Sequence, residues 1–156
     1  MENAGLSRAY FYRAVKGVHT APGDWGIATQ TGRHIPAWSV LYVWDRLNGG
    51  RLMVSGKPPP GVWLRAVRSP VSTDILVANF AAQDATSRQL TLQLDPTCTH
   101  AATVRTIDAT HSTFFPASKP SGHDGTANTE IPNGGRLGLT IPPESATWIT
   151  TPCPAA

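Results

Sequence analysis

From Arg51 to the C-terminus, the sequence divides into short apolar runs separated by glycine, proline and aspartate. The alternation is clearest in RQLTLQL, where Leu90, Leu92 and Leu94 are each flanked by polar residues. Side chains of a β-strand point alternately to opposite faces, so this pattern predicts strands with one buried face. Short alternating strands with frequent turns are typical of an antiparallel β-sandwich. The predicted strands are 51–56, 61–69, 73–81, 88–95, 102–109, 135–141 and 145–151, with 111–134 mostly loop.

The first fifty residues follow a different pattern. Arg8–Val15 is dense in aromatic residues and predicts a buried strand, and a loop follows. Pro36 suits the first position of a helix, which is predicted over 37–48 and ends at Gly49-Gly50. This helix is apolar over more than half of its circumference, so we expect it to be buried against a large surface. The sequence therefore predicts a strand–loop–helix unit over 1–50 and a mainly β sandwich domain over 51–156.

The first unit resembles the closing βα unit of retaining glycoside hydrolases of clan A, which are built on a (β/α)8 barrel. Their eighth strand is followed by the pattern WGL-x-x-x-x-G-x-x-x-P-A. The residues that match it here are Trp25, Gly26, Ile27, Gly32, Pro36 and Ala37. VRTIDATHSTFFPASKP (104–120) and LGLTIPPESATWITT (137–151) resemble segments of family 39 of these enzymes, which includes β-xylosidases and α-L-iduronidases.

The resemblance implies the last βα unit of a barrel followed by an accessory β-sandwich. In the resembled enzymes the acid/base carboxylate follows the fourth barrel strand and the nucleophile follows the seventh. Neither position has a counterpart in this chain, so the resemblance assigns no catalytic residue here. We expect a structural role beside an upstream barrel domain that cleaves glycosidic bonds of polysaccharides or oligosaccharides, and no activity of this chain alone.

Two residues of the first unit are candidates for lining a substrate. Asp24 and Trp25 lie in the loop after the barrel-like strand, which is the functional face of a complete barrel. There the indole of Trp25 has the flat apolar surface that stacks on a sugar ring. The alternative is that Trp25 packs beneath the loop.

The runner-up function is a carbohydrate-binding module that uses exposed tryptophans of the sandwich. Trp63 shares a strand face with Arg65, which favours exposure, whereas the alternation around Trp148 leaves its exposure undecided.

Asp74 and Asp95 are expected at turns, where aspartate commonly bends the backbone. A third interpretation is a homo-oligomer that forms through the apolar helix 37–48.

The remaining composition excludes several classes of site. Cys98 and Cys153 are too few for a zinc cluster, and they are compatible with one disulfide or with two free thiols. The histidines lack the spacing of metal ligands, so we expect neither a metal nor a cofactor. The thirteen basic residues are scattered, which argues against nucleic acid, and no run is long enough to span a membrane. A disulfide would favour a secreted or extracytoplasmic location.

Overall fold

The computed structural model describes residues 41, 43–45, 47, 49–79, 86–96, 98, 101–108, 127–130 and 135–153, of which 127–130 are described for the backbone alone. Within these residues the protein is built from eight β-strands. They are β1 (Gly50–Arg51), β2 (Val62–Arg68), β3 (Ser72–Asn79), β4 (Arg88–Gln93), β5 (Ala102–Ile107), β6 (Ala127–Glu130), β7 (Arg136–Ile141) and β8 (Ser145–Pro152).

Six of the strands form a large antiparallel sheet in the order β1-β2-β3-β8-β5-β6. The hairpin between β2 and β3 closes at Ser69, whose N–H donates to the carbonyl oxygen of Ser72 at 2.9 Å. The Ser69 hydroxyl also accepts from the N–H of Ser72 at 3.0 Å. This side-chain capping explains why the Ser69-Pro70 pair ends the second predicted strand.

The other two strands, β4 and β7, form a small antiparallel sheet that packs on the large one. Leu92 and Leu94 of one layer meet Ile75 and Val77 of the other in a continuous apolar core. β7 is alternately exposed and buried along its whole length, which is the signature of a sheet with one face in water. The prediction of a mainly β, antiparallel sandwich is therefore confirmed.

One strand prediction was wrong, and one strand was not predicted. In the run 51–56 the strand ends at Arg51, although the N–H of Leu52 still donates to the carbonyl of Ala66 at 3.0 Å. The segment 111–134, which the sequence predicts to be mostly loop, contains the four-residue strand β6, which pairs with β5 in the register Ala102↔Glu130 to Arg105↔Ala127. β6 is the last strand of the sheet. Backbone hydrogen bonds alone are enough to hold an edge strand, so its sequence need not alternate between apolar and polar residues.

A helical turn precedes the large sheet. Leu41 and 43–45 are helical, and the N–H of Leu47 donates to the carbonyl of Val43 at 3.0 Å. These residues fall within the predicted helix 37–48. The predicted strand and loop of 1–36 lie outside the described residues. Among the described residues, no helix has the length and apolar character needed to cross a membrane.

Candidate functional site

The register of the strands gives the large sheet two distinct faces. The inner face packs on β4 and β7. The opposite face, which we call the outer face, combines aromatic, charged and apolar side chains. Cross-strand pairs such as Trp63↔Ala78, Leu76↔Trp148 and Trp148↔Arg105 place them side by side. The outer face includes Trp63, Arg65, Val67, Asp74, Leu76, Ala78, Arg105, Ile107, Ala146, Trp148 and Thr150.

The helical turn covers the apolar part of the outer face. Val43 and Leu47 are 0% and 1% exposed because they pack on Val67 and Leu76. The guanidinium of Arg65 donates from Nη2 to the carbonyl oxygen of Leu47 at 2.9 Å. This carbonyl lies at the end of the helical turn, so the arginine supplies a donor where the helix itself has none. The turn is thereby fixed to the sheet by both apolar contact and a charged hydrogen bond.

The tryptophan that was predicted to be exposed is part of this contact. The rings of Trp44 and Trp63 are stacked, with centroids 5.1 Å apart and planes inclined by 23°. The guanidinium carbon of Arg65 lies 4.9 Å from the ring centroid of Trp44. Trp63 does share its face with Arg65, but that face is covered by the helical turn, so Trp63 is partly buried.

A second group of side chains surrounds Asp74, next to the apolar cluster. Its carboxylate accepts from the hydroxyl of Thr150 at 2.8 Å, from the indole N–H of Trp148 at 3.2 Å and from the hydroxyl of Ser72 at 2.8 Å. The guanidinium of Arg105 lies over the ring of Trp148, 5.0 Å from its centroid. We call these residues the Asp74 group. Asp74 thus lies within β3 and not at a turn, which corrects the sequence-based expectation.

On the inner face, Cys98 and Cys153 are joined in a disulfide and are 1% and 2% exposed. Arg68 donates from Nη1 to Sγ of Cys98 at 2.8 Å and to the hydroxyl of Thr73 at 3.0 Å. The Thr73 hydroxyl lies 3.3 Å from Sγ of Cys153. The bond joins the segment that follows β4 to the end of β8, and so links the exit of the small sheet to the large sheet.

The remaining candidates are not brought into one site. Asp24 and Trp25 lie outside the described residues. Within the part of the chain that the structure describes, no group of three or more histidine, cysteine, aspartate or glutamate side chains is placed to hold a metal ion. The sequence analysis did not predict the Asp74 group. The only local signal is that Asp74 and Leu76 are two positions apart in TDILVAN, which places both on one face of a strand.

The fold of this chain occurs in solved glycoside hydrolase structures. A family 30 endoxylanase from Clostridium papyrosolvens C71 matches with a TM-score of 0.63 and 14% identity, over 82% of this chain and 30% of that one. The family 30 subfamily 8 xylanase Xyn30A from Clostridium acetobutylicum matches with a TM-score of 0.61 and 13% identity, over 85% and 32%. The catalytic domain of family 30 xylanase C from Talaromyces cellulolyticus gives 0.58 and 15%, over 83% and 28%.

At these identities the similarity shows a common fold. The chain spans about a third of the length of each matched structure. No protein-family model matches the sequence, and no curated protein matches it. The similarity agrees with the clan-A, glycoside hydrolase-like fold that the sequence predicted, but it does not single out family 39, which stays a prediction.

Proposed function

We propose that this chain is an accessory β-sandwich region of a glycoside hydrolase, and that the catalytic carboxylates lie in a barrel supplied by other parts of the polypeptide. The observation that carries the proposal is the fold match, which takes in 82% of this chain and 30% of a family 30 endoxylanase. The unmatched share of that endoxylanase, 100% minus 30%, is about twice as long as the matched region and leaves room for a catalytic unit. Because the three reported neighbours are xylanases, xylan is the first substrate to test for the parent enzyme.

The chemistry of the described carboxylates supports a structural role. A retaining glycoside hydrolase needs two carboxyl groups about 5–5.5 Å apart, one of them free to attack the sugar. Both oxygens of Asp74 accept hydrogen bonds from neighbouring side chains, so this carboxylate is occupied in holding β3 and β8 together. Glu144 lies in the turn between β7 and β8, and Asp95 follows β4, where each is exposed.

The same contacts disfavour the carbohydrate-binding alternative. A sugar platform needs an aromatic ring with a free face, and Trp63 already stacks on Trp44. The ring of Trp148 carries the Arg105 guanidinium, and its N–H is bonded to Asp74. Each ring is therefore engaged by a side chain of this chain on at least one side. Trp148 remains partly exposed, which makes it the residue through which this alternative is best tested.

Two assays separate these functions. The purified 156-residue chain is incubated with an aryl β-xyloside and with soluble xylan, and is also run in a gel that contains xylan. The accessory role predicts no release of product and unchanged migration. Retardation in the gel that disappears in Trp148→Ala would establish a binding module instead. Turnover that co-purifies with the chain through successive columns would overturn the proposal.

Two further assignments follow from the same structure. We propose an extracytoplasmic location, because a disulfide is maintained under oxidising conditions. We also propose that the predicted helix 37–48 folds onto its own sandwich and does not form a dimer, because Val43 and Leu47 are buried on the large sheet. Light scattering of the purified chain tests this, since a stable dimer that Leu47→Asp dissociates would contradict it.

A further inference from the structure

The segment between the helical turn and β2 is exposed to solvent. Every residue of 49–58 is exposed. The segment carries three consecutive large apolar side chains, Leu52, Met53 and Val54, which are exposed by 38%, 99% and 48%. Single exposed apolar residues are common, whereas three in a row on one exposed segment are available to a binding partner. We call residues 52–58 the connecting arm.

The backbone of the connecting arm is attached to the sheet at its first residue. β1 ends at Arg51, and the N–H of Leu52 donates to the carbonyl oxygen of Ala66 at 3.0 Å. No backbone group of 53–58 is hydrogen-bonded to the backbone of another described residue. Endopeptidases bind a substrate as an extended chain, largely through its backbone groups, so an exposed segment of this kind suits them.

The sequence of the connecting arm limits where it can be cut. An endopeptidase that accepts a large apolar residue after the scissile bond can hydrolyse the bond before Met53 or the bond before Val54. The prolines Pro58–Pro60 follow. Proline lacks the backbone N–H and restricts the residue before it, which disfavours a cut after Lys57. The two bonds on either side of Met53 are therefore the best candidates.

A cut beside Met53 leaves the contacts between the helical turn and the large sheet in place. Val43 and Leu47 stay buried on the outer face, and the guanidinium of Arg65 stays bonded to the carbonyl oxygen of Leu47. β1 also precedes the cut, so its pairing with β2 is kept. The disulfide lies within the C-terminal piece and does not link the two pieces. Their association would depend on these non-covalent contacts, and above all on the buried apolar side chains.

We propose that the connecting arm is a processing site, which an endopeptidase of apolar specificity cuts beside Met53 to give two pieces that stay bound to each other. The peptide bond breaks as one water molecule is added: the carbonyl carbon takes the hydroxyl group and the amide nitrogen takes the proton. In a parent enzyme, whose existence rests on the proposed function, this cut opens the covalent link between the segment before the arm and the sandwich without releasing either.

The experiment treats the oxidised full chain with thermolysin, which cuts before large apolar residues, and maps the products by mass spectrometry. The arm is expected to be cut before Met53 or Val54 at least about tenfold faster than β2 or β3, where cleavage requires local unfolding. Size-exclusion chromatography of the cut chain in native buffer is expected to give one species that contains both pieces. The same sample is expected to separate into two in urea.

Matched variants tie the result to the connecting arm. The double variant Met53→Pro/Val54→Pro places proline after each candidate bond and is expected to slow cleavage of the arm at least about tenfold. The double variant Met53→Leu/Val54→Ile keeps two large apolar residues and is expected to be cut as the wild type is. The proposal is overturned if the arm stays intact while β2 or β3 is cut, or if the two pieces separate in native buffer. The xylan assays use the uncut chain, so the processing site and the accessory role fail separately.

Discussion

Reduction of the disulfide is expected to destabilise this fold strongly. Cys98 and Cys153 are 55 residues apart in sequence, and their bond closes that loop in the unfolded chain. Loop-closure entropy for this separation gives about 4 kcal/mol, between about 3 for a 15-residue loop and about 4.7 for a 100-residue loop. This is a large share of the 5–15 kcal/mol that typically separates a folded domain from its unfolded state.

The folded state adds a smaller contribution of its own. Arg68 donates to Sγ of Cys98, and Thr73 contacts both Arg68 and Cys153, so a reduced pair leaves this buried group to rearrange. We therefore expect the free energy of unfolding to fall by at least the entropic value. With a slope of about 2 kcal/mol per molar urea, the midpoint of unfolding moves down by about 2 M.

The assay is urea unfolding followed by tryptophan fluorescence, for the oxidised chain, the reduced chain and the double variant Cys98→Ser/Cys153→Ser. The reduced chain and the double variant are expected to agree, which assigns the effect to the covalent link. The slope is expected to rise in both, since an unlinked chain exposes more surface when it unfolds. A loss below about 1 kcal/mol with an unchanged slope would refute the entropic reasoning.

Three further changes test individual contacts. Asp74→Ala is expected to lower the free energy of unfolding by about 1–3 kcal/mol, because three partly buried donors lose their acceptor, and Asp74→Asn is expected to lower it less. Equal thermal stability of the wild type and both variants would contradict this. Asn79 is 0% exposed and donates to three carbonyl oxygens. In chemical unfolding, Asn79→Asp is expected to destabilise the protein more than Asn79→Ala does, because the new carboxylate oxygen faces three carbonyl oxygens that are also acceptors. Gly49→Ala places a Cβ against the backbone oxygen of Arg68, whereas the Cβ of Gly50→Ala lies 3.8 Å from the same oxygen. We expect Gly49→Ala to lower the melting temperature and Gly50→Ala to leave it unchanged within experimental error, and the reverse order would show that the register of β1 is different.

The strands that sequence patterns predicted best are those with one face in water. β7 alternates between exposed and buried positions, and β4 shows the same trend, so apolar alternation in RQLTLQL and RLGLTI directly encodes the layer. β3 is buried at its last five positions, because β4 and β7 cover one face and the helical turn covers the other. Its sequence, STDILVAN, is therefore apolar without alternation through ILVA, and it gives no sign of which side faces the small sheet.

The polar contacts of the outer face could not be predicted from local sequence patterns, for a different reason. Asp74 and Thr150 are 76 residues apart in sequence and become neighbours through the pairing of β3 with β8. A lone aspartate shortly after Ser-Pro is more often part of a turn, so the local signal pointed away from the strand. The sequence correctly places Trp63 on the same strand face as Arg65. The exposure of Trp63, however, depends on Trp44, which reaches that face from the preceding helical turn.

The outer face also bears on how the two parts of the chain are related. The predicted boundary near residue 50 separates a helix from a sandwich, yet Val43 and Leu47 belong to one apolar cluster with Val67 and Leu76. Each of these four side chains is at most 2% exposed. Removing the helix would expose the cluster on the large sheet and leave Trp63 and Arg65 without their contacts to Trp44 and Leu47. The helical turn therefore stabilises the sandwich, and a fragment made of the strands alone lacks part of its own core.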